Sequence, residues 1–345
     1  MQEVLDQFIA NLHGGLLALL IVVSLAVLAK AADWLVDEAV VLSERSGIPK
    51  VVIGATIVSL GTTSPEAAVS VVAALEGSPG LALGNAVGSV ICDTGLILGL
   101  ACLIAPLRLD RRIVNRQGWI QLASAFALVA ACFPWRSPET VFQIGGRLPQ
   151  WAGFAFLAGL VVYIIQSIRW TRTQRTEISL EDHQEDADAA TPVVVVKLLA
   201  AVALVVGSAT ILIPAVEEAA RRMDIPESII AATMVAFGTS LPELVTVVAA
   251  ARRGHGELAV GNVVGADILN VLFVAGAAAA VTGAGLQAGA HFFAVLFPIM
   301  IFVLLVFRIG IFFSGDFLRK PFGFALLGAY TVYLLISYFG RNIGS

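Results

Sequence analysis

The sequence predicts an all-α polytopic membrane protein, with ten transmembrane helices in two inverted five-helix repeats. Three observations predict this fold. Of the 345 residues, 58% are hydrophobic and 13% are charged, whereas soluble domains carry about 25% charged residues. Apolar stretches of about 17–25 residues, long enough to span a bilayer, recur from end to end. Residues 51–100 also align without a gap on residues 228–277, with about twenty identities in fifty positions. An outer-membrane barrel would show short alternating segments instead.

The spans are expected at about 15–40, 50–75, 80–104, 118–134, 151–169, 193–216, 226–251, 257–282, 289–313 and 321–339. The first fifteen residues hold no Lys or Arg, so the first apolar run reads as a retained helix and not a signal peptide. Cys92, Cys102 and Cys132 lie in apolar segments without metal-ligand spacing and read as small packing residues. The polar stretch at 171–192, with Glu177, Glu181, Asp182, Glu185, Asp186 and Asp188, divides the spans five and five. It reads as a solvated tether, lacks EF-hand spacing, and is too short to hold a regulatory domain. The expected organisation is a first half at 1–170, this acidic linker, and a second half at 193–345.

An odd number of spans per half makes the second copy enter the membrane the other way up. Basic residues agree with this. With the N-terminus outside, the loops after spans 1, 3, 5, 7 and 9 hold about 15 Lys and Arg, against about 5 elsewhere. Arg108, Arg111, Arg112, Arg116, Arg172, Arg252 and Arg253 carry much of the bias. Both termini are therefore expected outside the cell membrane and the linker in the cytoplasm.

Chemistry concentrates in the duplicated segments. Span 2 contains Gly61-Thr62-Thr63-Ser64-Pro65-Glu66, and span 7 contains Gly238-Thr239-Ser240-Leu241-Pro242-Glu243. Proline lacks an N–H, so a carbonyl one turn earlier loses its helical partner. In lipid that carbonyl needs another partner, and a dehydrated cation is one. Thr62, Thr63, Thr239 and Ser240 add hydroxyl oxygens, and Glu66 and Glu243 add charge. Oxygen-only ligation suits calcium and sodium and does not suit zinc or copper. A second polar position follows each Glu after 27 residues, Asp93 in span 3 and Asn270 in span 8. Gly84-Asn85 with Gly88, and Gly261-Asn262 with Gly265, allow close helix packing before them. Glu66, Asp93, Glu243 and Asn270 are expected to meet at the membrane midplane. Three carboxylates there need counter-ions. One divalent ion, several monovalent ions or protons can neutralise them, but not together, which is a physical basis for exchange.

Other polar groups read as structural. Lys30 and Asp33, one turn apart, are expected to pair. Asp37 with Glu38, and Glu217 with Glu218, lie at interfacial span ends. The histidines are scattered outside the motifs.

At the duplicated motifs the chain resembles the cation/calcium exchanger superfamily, particularly prokaryotic sodium/calcium exchangers. The paired Gly-Thr-Ser-x-Pro-Glu and Gly-Asn-x-x-Gly-Ser patterns are that family's two alpha repeats, and the resemblance covers essentially the whole chain. It implies the sodium/calcium exchanger fold and antiport, in which sodium runs inward and calcium is extruded by alternating access. It also implies that Glu66 and Glu243 bind calcium, with main-chain carbonyls of Thr62 and Thr239. Hydroxyls of Thr62, Ser89 and Thr239 and carbonyls of Ser59 and Ala236 would serve sodium. Related exchangers carry Asn and Asp where this chain has Asp93 and Asn270, so the pair looks swapped between halves with total charge preserved. Ala266 stands where the pattern has Ser, and Asp267 replaces the following Asn. Three readings of that added carboxylate are open, compensation for the missing hydroxyl, acceptance of a proton or preference for a different ion, and Asp267 is a further candidate metal ligand.

Sodium/calcium exchange is therefore the expected function, with proton- or potassium-coupled exchange of calcium or another divalent cation as the alternative and a cation channel as a remote one. No enzyme is expected. The chain lacks Gly-x-Gly-Asp, Gly-x-Ser-x-Gly and a P-loop, which leaves protease and primary-pump readings without support. Calcium and sodium are expected as substrates, with no resident cofactor, nucleic acid or evident protein partner.

Overall fold

Long apolar runs become helices in a bilayer because lipid offers no partner to backbone N–H and C=O groups. The computed structural model describes residues 2–178, 191–223 and 238–339. A short helix α1 (Gln2–Ala10) precedes α2 (Gly14–Ser46). Span 2 is a pair, α3 (Lys50–Thr62) and α4 (Ser64–Leu75), bent by 43° at Thr63. Then come α5 (Pro79–Ile104), α6 (Arg111–Cys132), α7 (Gln150–Ile178) and α8 (Thr191–Arg222). The described part of span 7 contains α9 (Leu241–Arg252), followed by α10 (Gly256–Ala280), α11 (Phe292–Phe313) and α12 (Lys320–Phe339). Residues 226–237 of that span, most of the linker, and Ala236 lie outside the described residues.

Among the described residues, seven helices are long and apolar enough to cross a membrane, or eight with the bent pair counted as one span. The chain is a multi-pass membrane protein. α6 is not among these helices because Arg116, Gln117 and Gln121 interrupt its apolar length. The N-terminal helix α1 was not expected. It packs Ile9 against Leu17 of α2 and Ala215 of α8.

Two departures from ideal α-helix occur at equivalent places in the two copies. α5 widens to a π-helical turn at Cys92–Ile97, and α10 does so at Asn270–Ala275. Such turns are rare and cluster at functional sites. α3 has another at Gly54–Val58. α10 lies directly on α3. A Cβ on Gly261 would stand 2.2 Å from the Val51 carbonyl oxygen, and one on Gly265 would stand 2.4 Å from Ala55 Cα. In the second copy the small residues thus let backbones meet as the motif predicts, but in the first a Cβ on Gly84 would meet only the Phe292 ring at 3.8 Å and one on Gly88 nothing within 4 Å, so the expectation fails there.

Two short antiparallel ribbons tie the halves together. β1 (Leu107–Arg108) pairs with β4 (Phe317–Leu318), and β2 (Gly146–Leu148) pairs with β3 (Leu286–Ala288). α2 and α8 pack along one another and meet the centre through α9. All three cysteines are buried and free, as packing residues should be.

One expected contact is corrected. Lys30 and Asp33 form no ion pair among the described residues. Asp33 instead faces Arg253 at 3.8 Å, and the same guanidinium bonds Asp37. The loop after α9 brings a guanidinium to this carboxylate that helical spacing within α2 could not reveal. Glu38, at the other side of α2, is buried and accepts from Trp34 Nε1 at 3.0 Å, with Lys197 of α8 at 3.7 Å.

Candidate ion-binding site

Glu66 and Glu243 each stand in the first turn of a helix that Pro65 or Pro242 starts. Proline suits this position because its missing N–H has no helical role there. The helix dipole at such an N-terminus favours a carboxylate. Both side chains are 1% exposed. Thr63, at the bend between α3 and α4, donates its hydroxyl to Glu243 Oε1 at 3.0 Å. The broken helix of one copy therefore touches the glutamate of the other. Glu66, Glu243 and Asp93 lie near enough for their charges to interact.

The π-turns supply the second layer. Asn270 Nδ2 donates to Asp93 Oδ2 at 3.3 Å, again across the two copies. Asp93 and Asn270 are each 1% exposed. The four side chains that the sequence expects at the centre are thus buried in one region. Among the described residues, both carboxylate oxygens of Glu66, Oε2 of Glu243, Oδ1 of Asp93 and Oδ1 of Asn270 have no hydrogen-bond partner. Buried polar atoms are rarely left so, because each forfeits its hydration without compensation. Unpaired acceptors around a set of acids are the chemistry of an oxygen-lined cation site.

The remaining expected residues divide. Thr62, Ser59, Ser240 and Ser89 are buried, and Thr239 is half-buried. The Ser59 carbonyl already accepts from Thr63 N–H at 2.8 Å and from the Thr62 hydroxyl at 3.3 Å. Pro65 has no N–H to donate to the Gly61 carbonyl, so that oxygen loses its helical partner at the break. Among the described residues, no three carboxylate, imidazole or thiol side chains converge as a ready-made metal cluster. The site relies on few carboxylates together with hydroxyls and main-chain oxygens.

Asp267 is buried but has its own surroundings. Its Oδ2 accepts from the Thr94 hydroxyl and from Gln121 Nε2 of α6. Sequence reasoning named neither donor. It also missed the role of Asn85, whose Nδ2 donates to Ser70 Oγ at 3.0 Å and to the Glu66 carbonyl at 3.4 Å. Asn85 Oδ1 accepts from the Thr239 hydroxyl at 3.2 Å. The signal for Asn85 was its place in the duplicated motif. The signal for Gln121 was an amide inside an expected span.

The family model described as "Sodium/calcium exchanger protein" matches residues 16–169 and 193–339. The chain belongs to the sodium/calcium exchanger family. The sodium/calcium exchanger MaX1 of Methanosarcina acetivorans is 30% identical over 93% of this chain and 98% of its own length. The inner membrane protein YrbG of Escherichia coli is 32% identical over 92% of this chain and 96% of its own. Among solved structures, the sodium-calcium exchanger NCX_Mj soaked with sodium and strontium superposes with a TM-score of 0.76 at 25% identity. That match covers 93% of this chain and 98% of the other. Both alpha repeats read from the motifs fall inside the matched residues.

Proposed function

We infer that this chain is a secondary antiporter that exchanges sodium for calcium. The observation that carries this reading is the pair of buried Pro-Glu carboxylates, one from each copy, with the Thr63 hydroxyl of the first copy bonded to Glu243 Oε1 of the second and the other three carboxylate oxygens unpaired among the described residues. Family membership and the exchanger relatives support it and do not favour the proton- or potassium-coupled or channel alternatives. Calcium would be held by Glu66 and Glu243 with carbonyls of Thr62 and Thr239. Hydroxyls of Thr62, Thr63, Thr239, Ser240 and Ser89, with carbonyls of Ser59 and Ala236, would serve the competing sodium ions. Asp93 and Asn270 would form the floor between the two sets. Because sodium and calcium need the same carboxylates, occupancy by one expels the other, and the gradient of one drives the other.

The supporting architecture is ten helices in two inverted halves, 1–170 and 193–345, joined by the cytoplasmic linker 171–192, with both termini outside. The two ribbons fit this arrangement, since exchanging the halves turns the β1–β4 pair into the β3–β2 pair. The decisive experiment is calcium-45 uptake into proteoliposomes under sodium, potassium and pH gradients in turn. Uptake driven by outward sodium alone is expected. Uptake that ignores sodium would refute the reading.

A further inference from the structure

A hydroxyl has one hydrogen and two lone pairs, so it serves a cation best when another acceptor takes the hydrogen. Thr239 has such an acceptor, Asn85 Oδ1 at 3.2 Å. The direction of that bond is fixed from the other end of the amide. Asn85 Nδ2 donates to the Glu66 main-chain carbonyl at 3.4 Å, and a carbonyl can only accept. The same Nδ2 donates to Ser70 Oγ at 3.0 Å. With its NH2 turned to α4, the amide offers Thr239 an oxygen, and the Thr239 hydroxyl must give its hydrogen. Asn85 and Ser70 are both buried, so these bonds face little competition from water. Thr63 shows the opposite outcome, because its hydrogen goes to a site carboxylate, Glu243 Oε1. The reciprocal link between the copies is missing. Asn262 stands at the position of α10 equivalent to Asn85, yet both of its amide atoms are without partners among the described residues. Val247 stands where the first copy has Ser70, and the Thr62 hydroxyl donates to the Ser59 carbonyl of its own helix at 3.3 Å.

We propose that Asn85 is a positioning residue for sodium: held by Ser70 and the Glu66 carbonyl, it takes the hydrogen of Thr239 and leaves the lone pairs of Thr239 Oγ1 for the ion. The inference rests on the sodium/calcium exchange reading above, in which the Thr239 hydroxyl serves sodium and its carbonyl serves calcium. Asn85 itself touches neither ion. Its influence therefore falls on sodium and spares calcium, and it belongs to one copy, since the second copy lacks the serine that holds the amide.

The test reads the half-maximal sodium and calcium concentrations separately, by calcium-45 flux in proteoliposomes and by the rise in thermal midpoint that each ion gives the purified protein in detergent. Asn85→Leu is expected to raise the half-maximal sodium concentration about fivefold, roughly the worth of one neutral hydrogen bond. The half-maximal calcium concentration should stay within about a factor of two of wild type. An unchanged sodium value would overturn the proposal. So would an equal rise for both ions, which would make Asn85 a packing residue. Asn85 and Thr239 must also act as one unit. Asn85→Leu combined with Thr239→Val is expected to bind sodium no more weakly than Thr239→Val alone, and additive losses would overturn the proposal. If Asn85→Leu does not accumulate, Ser70→Ala removes a group that holds the amide. It is expected to raise the sodium value about twofold and leave calcium unchanged, and no change in sodium would overturn the proposal. Glu243→Gln in the same vesicles separates the two readings. If it still exchanges calcium, the central-site assignment fails, whatever Asn85→Leu does. If it abolishes sodium-driven exchange while Asn85→Leu leaves the sodium value unchanged, only the positioning role fails.

Discussion

The two copies of the alpha repeat share a scaffold and differ in where they place charge. In the first copy α5 carries Ser89, Asp93 and Thr94; in the second, the same positions of α10 are Ala266, Asn270 and Val271. Among the described residues Asp93 accepts from Asn270, while Asp267 accepts from both Thr94 and Gln121. The prolines, the first-turn glutamates and the π-turns recur in both copies. The Pro-Glu helix starts and the π-turns are thus common to both copies. The acids and hydroxyls around them are distributed asymmetrically, and that is where this chain departs from its family's pattern.

The largest effect should come from breaking what the copies share. Glu66→Gln or Glu243→Gln is expected to reduce sodium-driven calcium-45 uptake by at least about 100-fold, roughly 2.7 kcal/mol of lost interaction. Near-normal monodispersity in detergent would show that the fold persists. Uptake within a factor of two of wild type in either variant would contradict the equivalence of the two glutamates.

Next comes the packing that α10 requires. A Cβ at Gly261 meets backbone, which cannot yield as a side chain can. Gly261→Ala is expected to destabilise the protein by about 1–3 kcal/mol, seen as a lower thermal midpoint in detergent. Gly328→Ala, where a Cβ meets nothing within 4 Å on α12, is the control and should be neutral or slightly stabilising.

A smaller and more telling effect separates the copies. Asp93→Asn is expected to slow exchange about tenfold, and adding Asn270→Asp should recover much of the loss, because the acid returns to the same buried pair from the other side. Such non-additivity is the signature of direct contact. If the double variant is no better than the single, the two positions are not interchangeable. The smallest expected change is in Ala266→Ser, which restores a hydroxyl. A decrease of a few-fold in the half-maximal sodium concentration is expected, and no change would show that this position does not contact sodium.

Much of this was legible in the sequence, for a specific reason. Acids and prolines inside apolar spans are costly in lipid, so Glu66, Glu243, Asp93 and Asn270 stood out without coordinates, and duplication excluded chance. The helices were legible to within a few residues at most ends, although α2 runs to Ser46 and α8 to Arg222, beyond the apolar runs. Asn85, Thr94 and Gln121 were not read as site residues, although Asn85 stands in the duplicated motif. Each is an ordinary polar residue whose meaning depends on which way its helix is turned. The pairing of Arg253 with Asp33 and Asp37, in place of the expected Lys30 contact, was hidden for the same reason.

By itself, the sequence determined that the chain lives in a bilayer, that one of its segments recurs, and that each copy places an acid directly after a proline in an apolar run. Hydropathy and the chemistry of proline are local properties, readable along the chain. Only the tertiary structure decided which oxygens face one another: Thr63 to Glu243, Asn270 to Asp93, and Thr94 with Gln121 to Asp267. Those contacts join residues about 146–180 positions apart. They follow from the rotation and close approach of packed helices, which small residues such as Gly261 and Gly265 permit but do not specify.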